Sequence, residues 1–178
     1  MGGKKLPFPI IHIIGLPGAG KTTLAQKLSK RYNLPVFGIG EYRSKYPSSP
    51  IGEVDAWIAL YRALSKRKWR NCIVETTGLN QRESFLRVAL SLAQMVTIKL
   101  EAPRRILYQR IAEKKRRERG GKWLFSADYP DKYEFVRNLY SEFRKLPCDI
   151  RIDTTKLKTE EVFESAMGKI EKYRIMFS

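Results

Sequence analysis

Short apolar runs alternate with amphipathic stretches along the whole chain. Phe8–Ile14 is an almost unbroken apolar run closed by Gly15, the pattern of a strand buried on both faces. Within Lys21–Arg31, Leu24, Ala25 and Leu28 then recur at helical spacing. Pro35–Ile39 reads as a second strand. Gly52–Lys68 reads as a helix, because Val54, Trp57, Ile58, Tyr61 and Leu64 fall at intervals of three and four. The alternation continues with a strand at Asn71–Glu75, a helix at Gln81–Ala93 and a strand at Met95–Leu100. Arg104–Arg119 and Tyr133–Leu146 follow as helices, Asp149–Ile152 as a fifth strand and Glu160–Tyr173 as a closing helix. Five strands joined by helical crossovers predict an α/β fold, a five-stranded parallel sheet with helices on both faces. No internal repeat or linker interrupts the pattern, so residues 1–178 read as one domain, long enough to bury a core of its own.

Composition narrows the chemistry. Thirty-five Lys and Arg against 18 Asp and Glu give a formal charge of +17, which speaks of anionic partners rather than of fold. The excess sits in the middle of the chain. Arg62–Arg70 holds five basic residues and no acid, Glu101–Lys122 holds nine basic and three acidic, and the segment from Asp153 onward is balanced. A Lys/Arg-rich solvated surface would give the same count. Two distant cysteines, Cys72 and Cys148, make neither a disulfide framework nor a zinc knuckle. The single His12 lies inside Ile-Ile-His-Ile-Ile and reads as a strand residue, which disfavours His-based triads and His-rich metal sites. The longest apolar runs fall far short of the roughly 20 residues that span a bilayer, and none forms a leader. A soluble, cytoplasmic chain without membrane contact is expected.

Gly15-Leu16-Pro17-Gly18-Ala19-Gly20-Lys21-Thr22 fits G-x-x-x-x-G-K-[ST], and it follows an apolar strand and opens a helix, the context that gives the pattern meaning. Its glycines let backbone N–H groups turn onto phosphate oxygens, and the new helix presents its unpaired N–H groups to the same anion. Lys21 is placed to reach the β- and γ-phosphates, and Thr22 to coordinate Mg²⁺. Gly15, Pro17, Gly18, Ala19, Gly20, Lys21, Thr22 and Thr23 are the expected ATP-binding residues of this loop.

With these residues the chain resembles the P-loop kinases of the nucleotide-kinase-like group, and within it the polynucleotide kinases, the zeta toxins and the kinase domain that phosphorylates fructose 6-phosphate. Gly40-Glu41-Tyr42-Arg43 is similar to the element with which those kinases hold and activate the acceptor hydroxyl. Val74-Glu75-Thr76-Thr77-Gly78-Leu79-Asn80 resembles their third-strand end, with Glu75 where they usually carry Asp. The resemblance implies a three-layer P-loop kinase fold with ATP and Mg²⁺ as cofactors. It also implies a basic lid, here residues 113–128, whose arginines close over ATP; Arg110, Arg116 and Arg117 are the candidates, Arg110 and Arg117 the preferred pair. Ile152-Asp153-Thr154-Thr155 occupies the place of the adenine-side loop, with Thr154 as its contact.

Strand-end placement brings Glu41, Glu75 and the P-loop to one edge of the sheet. Phosphoryl transfer to an alcohol needs a group that orients the hydroxyl and accepts its proton, and a group that holds the metal. Glu75 is favoured for the metal beside Thr22, and Glu41 for the acceptor, with the roles exchangeable. Arg43, Trp57, Tyr61 and Arg82 are the expected substrate-binding residues. Basic groups interleaved with Trp69, Trp123, Tyr129 and Tyr133 fit single-strand binding by stacking and backbone attraction, or simply a core and a solvated helix face. Three functions follow: a kinase of a nucleic-acid 5′-hydroxyl, which the charge favours; a kinase of a nucleoside, nucleotide or sugar phosphate; and a nucleotide-dependent switch. No protein partner is indicated.

Overall fold

The computed structural model describes residues 9–79, 86, 95–117 and 131–176, without the side chains of 115–117 and 174–176. Five parallel strands, β1 (Ile10–Gly15), β2 (Val36–Gly38), β3 (Ile73–Thr76), β4 (Met95–Glu101) and β5 (Ile150–Asp153), lie in the order β2-β3-β1-β4-β5. The helices are α1 (Lys21–Tyr32), α2 (Ile39–Arg43), α3 (Pro50–Lys66), α4 (Arg104–Arg117), α5 (Lys132–Lys145) and α6 (Thr159–Met176). All six residues of β1 are buried, as the central strand of a sheet covered on both faces requires. Removing each of its four isoleucines from water stabilises the fold by about 1.5–3 kcal/mol relative to exposure.

One core cluster joins Ile11 and Ile13 to Leu24 and Leu28 of α1, Leu107 of α4, Phe143 of α5 and Ala166 of α6. Ile10 and Val74 point the other way, into a second cluster with Trp57, Leu60 and Leu64 of α3, Cys72 and Leu86. Leu86 is itself helical, within the stretch expected as a helix at Gln81–Ala93; the rest of that stretch lies outside the described residues. His12 is a buried strand residue, its Nε2 2.8 Å from Thr76 Oγ1.

Several boundaries depart from the sequence reading, three of them with a clear local cause. The second strand stops at Gly38, and Ile39, expected as its last residue, instead opens the short helix α2. Helix α3 starts two residues earlier than its apolar spacing suggests, because Ser49 accepts the Gly52 amide at 3.1 Å and Pro50 fits the first turn. The closing helix, expected from Glu160, starts one residue earlier at Thr159, where Glu161 reaches back to accept the Lys158 amide at 2.6 Å.

Lys99 of β4 is fully buried yet satisfied. Its Nζ donates to the carbonyls of Arg144 (2.8 Å) and Leu146 (3.0 Å) at the C-terminal end of α5 and pairs with Glu101 at 2.8 Å. A cation at the negative end of a helix is favoured, and here it ties α5 to the sheet. Among the described residues no helix is long and apolar enough to cross a membrane.

Candidate active site

Because every strand is parallel, their carboxyl ends share one edge: Gly15 pairs with Leu100, Ile14 with Thr76, Gly38 with Glu75 and Glu101 with Asp153. Ligands of open α/β sheets bind at that edge. The loop from Gly15 to Thr22 turns there with Gly18 at φ 83° and Gly20 at φ 95°, conformations that a Cβ disfavours. A Cβ on Gly18 would also lie 2.8 Å from the Leu107 carbonyl. Gly20 caps α1 without a side-chain hydrogen bond, and no acid stands in the first turn of α1. The helix therefore offers its positive end to an anion without local competition.

Lys21 leads α1, and its Nζ lies 3.4 Å from the Leu16 carbonyl, folded over the loop. Thr22 Oγ1 donates to Glu75 Oε1 at 2.7 Å, joining the loop to the end of β3. Arg110 of α4 grips the loop after β5: Nη1 donates to Thr154 Oγ1 at 2.9 Å and Nη2 to the Thr154 carbonyl at 2.5 Å. Thr154 is itself fixed by its amide, 2.8 Å from the Glu101 carbonyl. The Thr155 hydroxyl and amide both donate to Asp153 and hold its carboxyl below the usual range.

Two cavities meet at this loop. One, of about 350 Å³, is lined by Gly18, Gly20, Lys21, Thr22, Arg43, Glu75, Thr76, Thr77, Arg110, Lys114 and Lys132, among others. The other, of about 300 Å³, runs from Gly18, Ala19, Gly20 and Thr23 past Arg110 and Thr154 to Leu157 and Val162. Arg110 and the loop glycines border both. The fold thus unites Lys21, Thr22, Arg43, Glu75 and Arg110 around one cavity, and Thr23, Arg110 and Thr154 around its neighbour.

Other expected site residues lie elsewhere. Glu41 is exposed on α2, paired with Lys45 Nζ at 2.8 Å, and does not line the cavity that Gly40 and Arg43 border. In a five-residue helix one position of rotation turns a side chain from cavity to solvent. Trp57 is 1% exposed within the second core cluster, and Tyr61 packs between it and Trp69, with ring centroids 6.2 Å from each; neither ring reaches the cavity. Tyr133, expected near a stacking surface, packs on Tyr108 with centroids 5.5 Å apart. Arg82, Trp123, Tyr129 and the side chains of Arg116 and Arg117 lie outside the described residues, as does most of the 113–128 segment.

Sequence reasoning missed Lys132 and Glu53. Lys132 follows the α5 cap Asp131, whose side chain accepts the Glu134 amide at 2.8 Å, a signal for a helix start but not for a site. Glu53 lies at the start of α3 with nothing in its neighbours to mark it.

Oxygen donors suited to Mg²⁺ are present at one point. The Thr22 hydroxyl and the Glu75 carboxylate lie together beside the loop, and Mg²⁺ typically takes one or two such protein ligands and fills its shell with water and phosphate oxygens. Among the described residues no group of three or more His, Cys, Asp or Glu could hold a metal alone.

No curated protein matches this sequence. Among solved structures, a gluconokinase from Sinorhizobium meliloti 1021 is 13% identical with a TM-score of 0.65, covering 98% of each chain. Shikimate kinase from Acinetobacter baumannii in complex with shikimate is 16% identical with a TM-score of 0.65, covering 93% of this chain and 94% of its own. The APS kinase of Mycobacterium tuberculosis in complex with AMPPNP and APS is 13% identical with a TM-score of 0.62, covering 94% of this chain and 99% of its own. These likenesses establish the α/β P-loop kinase fold. A family described as AAA domain matches residues 11–134, from the core of β1 to the start of α5, which is more than half of the sequence, and the chain belongs to that family.

Proposed function

We propose that the protein is an ATP- and Mg²⁺-dependent kinase that transfers the γ-phosphoryl group to a hydroxyl of a small metabolite. The observation that carries this reading is the shared cavity of about 350 Å³, where Lys21 and Thr22 of the phosphate loop face Glu75 and Arg43. Its size suits a polyphosphate end and one small acceptor rather than a strand of nucleic acid. The similar folds named for gluconate, shikimate and APS support a small acceptor.

In this reading the loop N–H groups, Lys21 and Arg110 balance charge on the phosphates through donors fixed before substrate arrives. Thr22 and Glu75 would hold Mg²⁺, which supplies charge neutralisation between the phosphates when bound. Among the described residues lining the cavity Glu75 is the one carboxylate, so with Glu41 outside both carboxylate tasks fall to it. The loose transition state of phosphoryl transfer asks little of a base and much of positioning. Arg110 with Thr154 forms the adenine-side border. Arg43 meets an anionic substituent of the acceptor. The 5′-hydroxyl of a nucleic acid has less support, since Trp69 and Tyr133 pack on neighbouring rings instead of forming a stacking platform.

Labelled γ-phosphate from ATP, offered to gluconate, shikimate, APS, sugar phosphates, nucleosides, nucleoside monophosphates and 5′-hydroxyl RNA and DNA, tests the reading. Label is expected in a small acceptor, with an affinity that falls only shallowly with salt. Label in the oligomers alone, or in released phosphate alone, overturns it.

A further inference from the structure

Arg43 borders the acceptor side of the cavity although it is only 8% exposed. Its guanidinium is gripped from behind. Nε donates to Glu53 Oε2 at 2.8 Å and Nη2 to Glu53 Oε1 at 2.6 Å, a two-point pairing that fixes the plane of the fork. Glu53, 6% exposed, is held in turn: Trp57 Nε1 donates to Oε1 at 2.9 Å, one turn along α3. The Arg43 guanidinium also lies 5.9 Å from the Trp57 ring centroid. Neither Glu53 nor Trp57 lines the cavity.

Burying an ion pair is seldom the most stable solution for a core, since apolar residues of similar volume often do as well or better. A two-point clamp with a third, indole donor is more than solubility or folding asks of a helix start. What it achieves is orientation: α2 is five residues long and cannot rigidly aim a long side chain alone, whereas α3 is 17 residues and anchored in the core. A pre-oriented guanidinium loses little freedom on meeting an anion.

We infer that Glu53 and Trp57 are positioning residues that aim Arg43 at an anionic substituent, carboxylate or phosphate, of the acceptor. The inference rests on the kinase reading above and deepens it by assigning specificity for an acidic acceptor to this trio.

The test uses the full chain and whichever small acceptor the wild-type protein phosphorylates. Glu53→Gln keeps the shape but halves the clamp, and raises the acceptor KM by about tenfold, with the KM for ATP within about twofold. Trp57→Phe removes the indole donor together with part of the buried ring and moves the acceptor KM in the same direction by a smaller factor. Because Glu53→Gln removes the charge that balances a buried guanidinium and can unfold the chain, the double variant Arg43→Met/Glu53→Leu is made as well. Its apolar pair preserves the fold, checked by circular dichroism, and ATP binding, yet raises the acceptor KM by about fiftyfold or more. Replacing the acceptor by its neutral analogue, gluconate by glucose for example, abolishes the difference between variants and wild type. A sugar phosphate compared with its free sugar shows whether phosphate rather than carboxylate is the anion. A folded double variant with wild-type acceptor KM overturns the inference, as does a Glu53→Gln effect shared equally by ATP. Absence of transfer by the wild-type protein to any acceptor overturns the kinase reading and this inference with it.

Discussion

The two sides of the cavity are built by different means. On the side where the proposed function puts phosphate the groups are mostly backbone: N–H groups of a loop held in shape by Gly18 and Gly20 at positive φ, with Lys21 laid across it. On the acceptor side they are side chains, Arg43 and Glu75, aimed by other side chains, Glu53 and Thr22. A backbone site depends on local sequence, since eight consecutive residues and one helix start define it. A side-chain site depends on what the fold brings together from far apart: Thr22 and Glu75 are separated by 53 positions. The first half can serve any nucleoside triphosphate reaction. In the proposed function the second selects the acceptor, as the half free to differ between proteins of the same fold.

The largest test of this contrast is Lys21→Ala. Transfer is expected to fall by about a thousandfold or more while the unfolding midpoint stays close to wild type, because the lysine serves the anion rather than the core. Loss of the fold in that variant would show that the loop is structural. Glu75→Gln comes next, with turnover reduced about a hundredfold and ATP binding largely kept; wild-type turnover would leave the acceptor side without a functional carboxylate. Gly18→Ala strains the loop and drives a methyl group against the Leu107 carbonyl, destabilising the chain by about 1–3 kcal/mol and weakening ATP more than the acceptor. Equal weakening of both by calorimetry would mean that the two sides are not separable. Glu41→Ala is expected to change kcat and both KM values by no more than about twofold, since its partner is the exposed Lys45. A large loss would return Glu41 to the acceptor side.

The smallest effect concerns the core behind the acceptor side. Burial pushes the Cys72 thiol up from 9.0 to about 11. The unfolded chain therefore ionises this thiol first. Its contribution to stability is full below pH 9 and is lost as pH rises through about 11. Denaturant midpoints measured across that window should decline less steeply for Cys72→Ala than for wild type; identical slopes would remove the thiol from the account.

Legibility in the sequence follows the same division. Strand and helix periodicity gives all five strands and, among the described residues, most of the helices between them, since burial on both faces writes itself as apolar runs such as Ile10–Ile14. The phosphate loop is read directly from spacing because its geometry is local. Glu75, at a strand end, is legible by topology. Glu41 and Arg43 illustrate the limit: two residues apart in one motif, one is exposed and the other buried in an ion pair, because the chain turns into α2 at Ile39 instead of continuing as strand. Trp57 and Tyr61 share a helix face with core leucines, so spacing alone gives no means of separating pocket from core. Lys132 comes to the cavity because α5 is docked on the core through Phe135, Val136 and Phe143 and tied to the sheet by the buried Lys99, contacts no local pattern announces.

The most direct test of the central claim is phosphorus NMR of a reaction containing the protein, MgATP and a small acidic acceptor such as gluconate, shikimate or a sugar phosphate. A new phosphate-ester resonance is expected to grow in step with ADP, absent with Lys21→Ala and much reduced with Arg43→Met/Glu53→Leu. ADP accompanied only by orthophosphate, whatever acceptor is supplied, would contradict it.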